Sequence, residues 1–231
     1  MPDRSPSARS AARGLTIAVD VVLFAAHGNQ LAVLLLSEST APRARARWSL
    51  PSDSLRADES LDDAALRIAR DVAGTTPAHL EQAGALGGAR RQSEGANISI
   101  TYFALVPDGA AVRKNAEWVV LAELPTLATR ERDAVEAALS TMRARVDQQP
   151  IAFRLLPAAF TLSELQAVYE LLLGRRLHKA SFRRSLHASA LVEATDEWRS
   201  EGRGRPAQLF RYAPPRRKRQ RRGIRFDLLS F

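Results

Sequence analysis

The charge of this chain changes character near residue 150, and that break constrains its architecture more than any other feature. Residues 151–231 carry 17 Lys and Arg against 7 Asp and Glu, a balance of +10, whereas the first 150 carry 17 against 18, a balance of −1. A near-neutral domain followed by a basic one fits this pattern, and 231 residues suffice for one large domain or two small ones. Such asymmetry points to a polyanionic partner, nucleic acid foremost. A membrane surface or a merely well-solvated basic domain are the alternatives.

Hydrophobic residues make up 45% of the chain and charged ones 26%, as in ordinary globular proteins, which excludes wholesale disorder. Cysteine is absent, which excludes disulfides, thiolate metal sites and a catalytic thiol. The four histidines (His27, His79, His178, His187) have no ligand-like spacing, which argues against a zinc enzyme. The longest apolar run, Ile17 to Ala26, is interrupted by Asp20 and falls far short of the ~18–20 residues of a membrane span. Residues 1–14 (MPDRSPSARSAARG) lack the apolar middle of a secretory signal. They read as a disordered tail, although an organelle transit peptide shares their composition. A cytoplasmic protein with no membrane partner is expected.

Residues 15–150 read as a mixed α/β domain. Leu15–Ala26 and Leu31–Ser37 are β-rich runs around the turn-like His27-Gly28-Asn29-Gln30, and Trp48-Ser49-Leu50-Pro51 is a short strand ended by proline. Ser60-Leu61-Asp62-Asp63 opens a helix with Ser60 as N-cap and Asp63 in the capping-box position. Leu61, Ala65, Ile68 and Val72 then recur at helical spacing, and Gly74 is placed to end that helix. Asn97–Val106 is the clearest strand. A second helix is expected over Thr129–Val146, with Val135, Ala138, Leu139 and Met142 as its apolar stripe.

The stretch from Pro51 to Thr75 resembles the signature of the Nudix superfamily: a glycine, a glutamate six residues on, then Arg-Glu-x-x-Glu-Glu-x-Gly. Glu59, Arg67 and Gly74 match it, but Asp53 stands at the glycine, Ile68 and Val72 replace two helix carboxylates, and Asp71 replaces the third. Nudix hydrolases hold magnesium or manganese on one helix face with carboxylates a turn apart. Residues 68 and 72 project side by side, and an aliphatic pair there ligates no hard cation. With Asp71, Glu59 and Asp58 alone remaining, metal and metal-dependent pyrophosphate hydrolysis are not expected. A plain amphipathic helix with Ile68 and Val72 in the core accounts for the same residues without Nudix ancestry.

Residues 151–213 read as a winged helix-turn-helix. Thr161 and Glu164 form a capping box, Leu162, Leu165, Val168, Tyr169 and Leu172 give an apolar stripe, and Gly174 closes the helix. After the turn Arg175-Arg176-Leu177-His178, a second helix over Lys179–Ala190 buries Phe182, Leu186 and Leu191. Its other face carries Lys179, Ser181, Arg183, Arg184 and His187, the composition of a DNA-reading helix. Strands over Leu191–Arg199 and Ala207–Tyr212 flank Ser200-Glu-Gly-Arg-Gly-Arg-Pro206, a wing tip whose Arg203 and Arg205 suit a narrow minor groove. A solvated basic helix and a flexible loop would share this composition.

This region closely resembles the C-terminal domain of the Nudix-related transcriptional regulators, through Phe160-Thr-Leu-Ser-Glu-Leu-Gln-Ala-Val-Tyr-Glu170, Lys179-Ala-Ser-Phe-Arg-Arg184 and Gly202-Arg-Gly-Arg-Pro-Ala-Gln-Leu-Phe-Arg-Tyr212. The likeness reaches upstream through Ile151–Pro157, Leu124–Ala128 and His79-Leu-Glu-Gln82. It implies an α+β architecture: a Nudix-like α/β/α sandwich followed by a winged helix-turn-helix. It further implies a bacterial, nucleoid-associated homodimer that binds a palindromic operator and represses NAD-metabolism or sugar-utilisation genes. The Nudix-like domain would sense a nucleotide-sugar such as ADP-ribose without hydrolysing it. Arg47 and Trp48, with Arg67, Arg90, Arg91 and Tyr102, are the candidates for that pocket: cations for phosphate and aromatic faces for a base. A divergent Nudix hydrolase and a constitutive DNA-binding protein with a ligand-free dimerisation domain are the competing readings. Residues 214–231 include Arg216-Arg-Lys-Arg-Gln-Arg-Arg222 and read as a basic arm following the DNA backbone, or as a localisation or solubility tail.

Overall fold

The computed structural model of the chain describes residues 16–38, 47–87, 98–107, 110, 112–200 and 206–213. Its centre is β1 (Ile17–His27), which turns at Gly28 and Asn29 into the antiparallel β2 (Gln30–Glu38). On its other side β1 runs parallel to β6 (Ile98–Leu105), and β6 pairs antiparallel with β5 (His79–Gly87). β3 (Arg47–Ser49) and β7 (Ala116–Val120) pair with β2, and β4 (Ser52–Ser54) with β1, which makes a mixed sheet of seven described strands.

Two helices cover the sheet, and side-chain alternation along β1 shows how. Val19, Val21, Leu23 and Ala25 pack against α1 (Leu61–Ala73), while Val22 and Phe24 pack toward α2 (Thr129–Gln148). A strand buried on both faces reads as a continuous apolar run, which is why β1 stands out in the sequence. In α1 the Ser60 hydroxyl accepts from the Asp63 N–H at 3.1 Å and donates to the Asp63 carboxylate at 2.7 Å. The reciprocal half of the expected capping box is thus altered: the short Asp63 side chain meets the cap's hydroxyl, where a glutamate reaches its backbone N–H.

The basic half begins with a 3-10 turn, Ile151–Leu155, followed by α3 (Leu162–Leu173), α4 (Lys179–Ser189) and the hairpin of β8 (Val192–Arg199) and β9 (Ala207–Tyr212). The capping box of α3 is complete, with Thr161 Oγ1 accepting from Glu164 N–H at 3.1 Å and Glu164 accepting from Thr161 N–H at 2.7 Å. Helix α4 stops one residue earlier than its periodicity suggests, because Ala190 takes a left-handed conformation at φ 50°. Phe153, Phe160, Tyr169 and Phe182 form an aromatic chain through this half. They belong to the same core as Phe24, Phe103, Met142 and Val146, so one apolar interior runs from sheet to winged helix.

Candidate nucleic-acid interface and ligand pocket

Helix α4 buries Phe182 and Leu186 and turns Lys179, Ser181, Arg183, Arg184 and His187 to solvent. Lys179, Arg183 and His187 recur every four residues and form one stripe, with Arg184 beside it. Among the described residues none of Lys179, Arg183, Arg184 and His187 has an ion pair or hydrogen bond, while Ser181 Oγ lies 3.3 Å from His178 Nδ1. Other arginines of this half are committed: Arg176 to Glu170 at 3.0 Å, Arg199 to Glu164 at 2.7 Å and Arg211 to Glu193 at 2.8 Å. Unpaired guanidinium and ammonium groups on one helix face are what phosphate contact requires. Trp198, on β8 at the outer end of the hairpin, is 57% exposed. Arg203 and Arg205 lie outside the described residues, as do Arg90, Arg91 and the two chain termini.

On α1, Ile68 and Val72 are 4% and 3% exposed and pack into the sheet core. Glu59 is held by Arg67 through Nη2–Oε1 at 2.6 Å and Nε–Oε2 at 3.1 Å, and Arg67 Nη1 reaches Asp53 at 2.6 Å. The Arg67 hydrogen bonds hold both carboxyls below the usual carboxylate range. Asp58 and Asp71 are exposed. These residues do not fit a divalent cation: the carboxylate that would anchor it is occupied by a guanidinium, and two of its neighbours are buried aliphatics. Among the described residues no three His, Asp or Glu converge as metal ligands.

The nominated pocket residues do not converge. Arg47 and Trp48 are neighbours on β3 and therefore point to opposite faces; Trp48 packs against the core beneath α2, and Arg47 is on the α1 side. Tyr102 is 2% exposed on the α1 side, its hydroxyl donating to Asp62 at 2.5 Å, so neither ring face is open to a base. Burial, then the Asp62 carboxylate, pushes the Tyr102 phenol up. Arg67 is spent on Asp53 and Glu59. The expected cleft flanked by Arg47 and Trp48 is thus replaced by two separate surfaces, a direct result of the two-residue repeat of a strand.

A polar cluster escaped the sequence reading. Asp20, 1% exposed on the α2 side of β1, accepts from Ser52 Oγ at 2.6 Å, from Ser99 Oγ and from the Arg130 guanidinium. The signal was present: a carboxylate within an apolar strand needs a cation, and Arg130 opens the helix that covers it.

A sheet covered by two helices, one with aliphatic Ile68 and Val72 on its inner face, followed by a winged helix whose basic stripe is unpaired among the described residues, defines a regulator architecture. Residues 14–138 match the NUDIX domain and residues 152–212 the NrtR DNA-binding winged helix domain. The chain is 33% identical over 204 residues to the ADPR responsive transcriptional repressor NtrR of Acinetobacter baylyi, covering 84% of this chain and 81% of that protein. It is 32% identical to Shewanella oneidensis NrtR in the crystal structure complexed with a 27mer DNA, with a TM-score of 0.73, covering 86% of this chain and 94% of that one. A MutT/nudix family protein from Enterococcus faecalis shares the fold at 19% identity and a TM-score of 0.68, over 87% of this chain and 89% of that one. The chain belongs to the NrtR family of Nudix-related transcriptional regulators. None of its described helices is long and apolar enough to cross a membrane.

Proposed function

We propose that this chain is an ADP-ribose-responsive transcriptional repressor of the bacterial cytoplasm, acting as a homodimer on a palindromic operator. The observation that carries the reading is the stripe of Lys179, Arg183 and His187, with Arg184, unpaired among the described residues, on the second helix of a helix-turn-helix. In a dimer two such helices enter the major groove about 34–36 Å apart. Lys179, Arg183 and Arg184 contact phosphates and base edges, Ser181 and His187 complete the face, and Arg203 and Arg205 grip the minor groove. The named relatives, one responsive to ADPR and one crystallised with DNA, support the effector and the partner. With Ile68 and Val72 buried and Glu59 tied to Arg67, the sandwich binds the nucleotide without hydrolysing it.

Fluorescence anisotropy with the inverted repeat nearest this gene tests the reading, with ADP-ribose titrated and its integrity followed by chromatography in the presence of magnesium. Tight binding lost in Arg183→Ala and relieved by intact ADP-ribose is expected. Binding indifferent to ADP-ribose would leave a constitutive DNA-binding protein, and magnesium-dependent cleavage abolished by Glu59→Gln would make it a hydrolase.

A further inference from the structure

Away from the Nudix helix, a cleft of about 740 Å³ opens between the β1–β2 turn and α3, at the junction of the sandwich and the winged helix. Its size is in the range of small-molecule sites. One wall is apolar, made by Leu31, Val120, Leu121, Val168 and Leu171. The other carries three guanidinium groups, those of Arg143 from α2 and of Arg175 and Arg176 from the turn after α3.

The acids nearby neutralise only part of that wall: Arg176 is paired with Glu170 at 3.0 Å, whereas Arg143 and Arg175 have no ion pair among the described residues. Glu170 is the one carboxylate lining it, and its oxygens already accept from Gln166 Nε2, the Leu177 N–H and Arg176 at 2.9–3.0 Å. Asp147 stands near Arg175, but burial pushes its carboxyl up and no ion pair forms among the described residues. Arg143 is the telling residue. Its Nε is buried and has no acceptor among the described residues, and none of its other donors is paired. The buried Nε is closed to a ligand, so the donors that Arg143 offers an anion in the cleft are those of its unpaired Nη groups. Arg143 lies against Gly174, where a Cβ would stand 2.6 Å from the mobile end of its side chain, Nη2.

We propose that this junction is a second small-molecule site, distinct from the ancestral hydrolase site, that takes an organic phosphate monoester. The phosphate is held by Arg143 and Arg175, and the body of the ligand lies on the Leu31–Val168–Leu171 wall. A ligand there touches α3 and the sandwich at once and stiffens the junction between them.

Isothermal titration of the full-length protein with AMP, phenyl phosphate, inorganic phosphate and adenosine tests the site. AMP and phenyl phosphate are expected to bind, inorganic phosphate about tenfold or more weakly for want of the apolar wall, and adenosine not at all. Arg143→Gln and the exposed Arg175→Gln should each weaken AMP about tenfold or more. Saturating ADP-ribose, directed to the Nudix domain, should leave AMP affinity unchanged. Arg175→Gln keeps the test informative if Arg143→Gln unfolds, and DNA binding measured alongside separates this site from the regulator reading. Absence of AMP binding at millimolar concentration, affinity equal in both variants and wild type, or displacement of AMP by ADP-ribose each overturns the proposal.

Discussion

Phosphate contacts release counterions, so the α4 stripe predicts a salt dependence as well as an affinity. Among the described residues Lys179, Arg183 and Arg184 have no ion pair, and the proposed dimer carries two sets of them. If each neutralises one phosphate, a dimer makes about six contacts and they contribute a slope near −5 in log K against log salt, at ~0.9 per contact. Raising salt from about 50 to 200 mM then costs about 10³-fold in affinity through these groups alone. Arg183→Ala removes about two contacts per dimer, so the slope becomes shallower by about 1.8 and the same salt step costs roughly tenfold less. Arg211→Ala is the control, because Arg211 is already paired with Glu193 at 2.8 Å and has little charge to offer. Anisotropy titrations at five salt concentrations measure both slopes. Contacts from the tail and wing tip steepen every curve equally, so the difference between variant and wild type is the readout. An unchanged slope in Arg183→Ala, or equal changes in the two variants, would refute the assignment of α4 as the phosphate-reading face.

Other expectations concern stability. Ala190 holds a left-handed φ of 50° with a Cβ it does not need, so Ala190→Gly should stabilise by about 0.5–1 kcal/mol and raise Tm by about 1–4 °C in differential scanning calorimetry. Arg130→Met leaves the Asp20 carboxylate buried with only serine donors and should cost about 3 kcal/mol in urea unfolding, a loss below ~0.5 kcal/mol being incompatible with the clamp. Burial pushes His79 below its ordinary value of 6.5 despite the neighbouring Glu81. The unfolded chain therefore binds a proton that the folded chain refuses, and this contribution to stability is fully present above about pH 7 and declines as pH falls through 6.5 toward the folded value. Urea midpoints at pH 5 and pH 8 should differ less in His79→Gln than in the wild type.

Features written in local sequence were legible. Ser60 and Gly74 bound α1, Thr161, Glu164 and Gly174 bound α3, and Ala207–Tyr212 forms β9 with the bounds expected. Caps and short periods act within a few residues, so the chain states them directly. The short β4 and β7, and the half-exposed β5 at the sheet edge, lack that signature, because their pairing is decided by β1, β2 and β6. The pocket was harder still. Arg67 looked like a free cation until Asp53, fourteen positions away, met it, and Asp20 finds Arg130 110 positions later. Such pairings depend on the register of a folded sheet, which no local pattern encodes. Arg47 and Trp48 show the converse, since adjacency in sequence puts side chains on opposite faces of a strand.

The shared core constrains how an effector could release DNA. Met142 and Val146 of α2 lie in one apolar interior with Leu165, Tyr169 and Leu172 of α3, all fully buried, while Arg130 is tied to Asp20 and Arg145 to Glu81 on β5. Undocking the winged helix from its own sandwich would re-expose several of these side chains at about 1.5–3 kcal/mol each. A ligand that weakens DNA binding about 100-fold supplies only about 2.8 kcal/mol of differential affinity. That is too little to open this junction. In the proposed dimer the displacement that releases an operator therefore falls between the two copies, where a small rotation of one sandwich against the other would change the separation of two rigidly carried α4 helices and break their fit to a fixed half-site spacing.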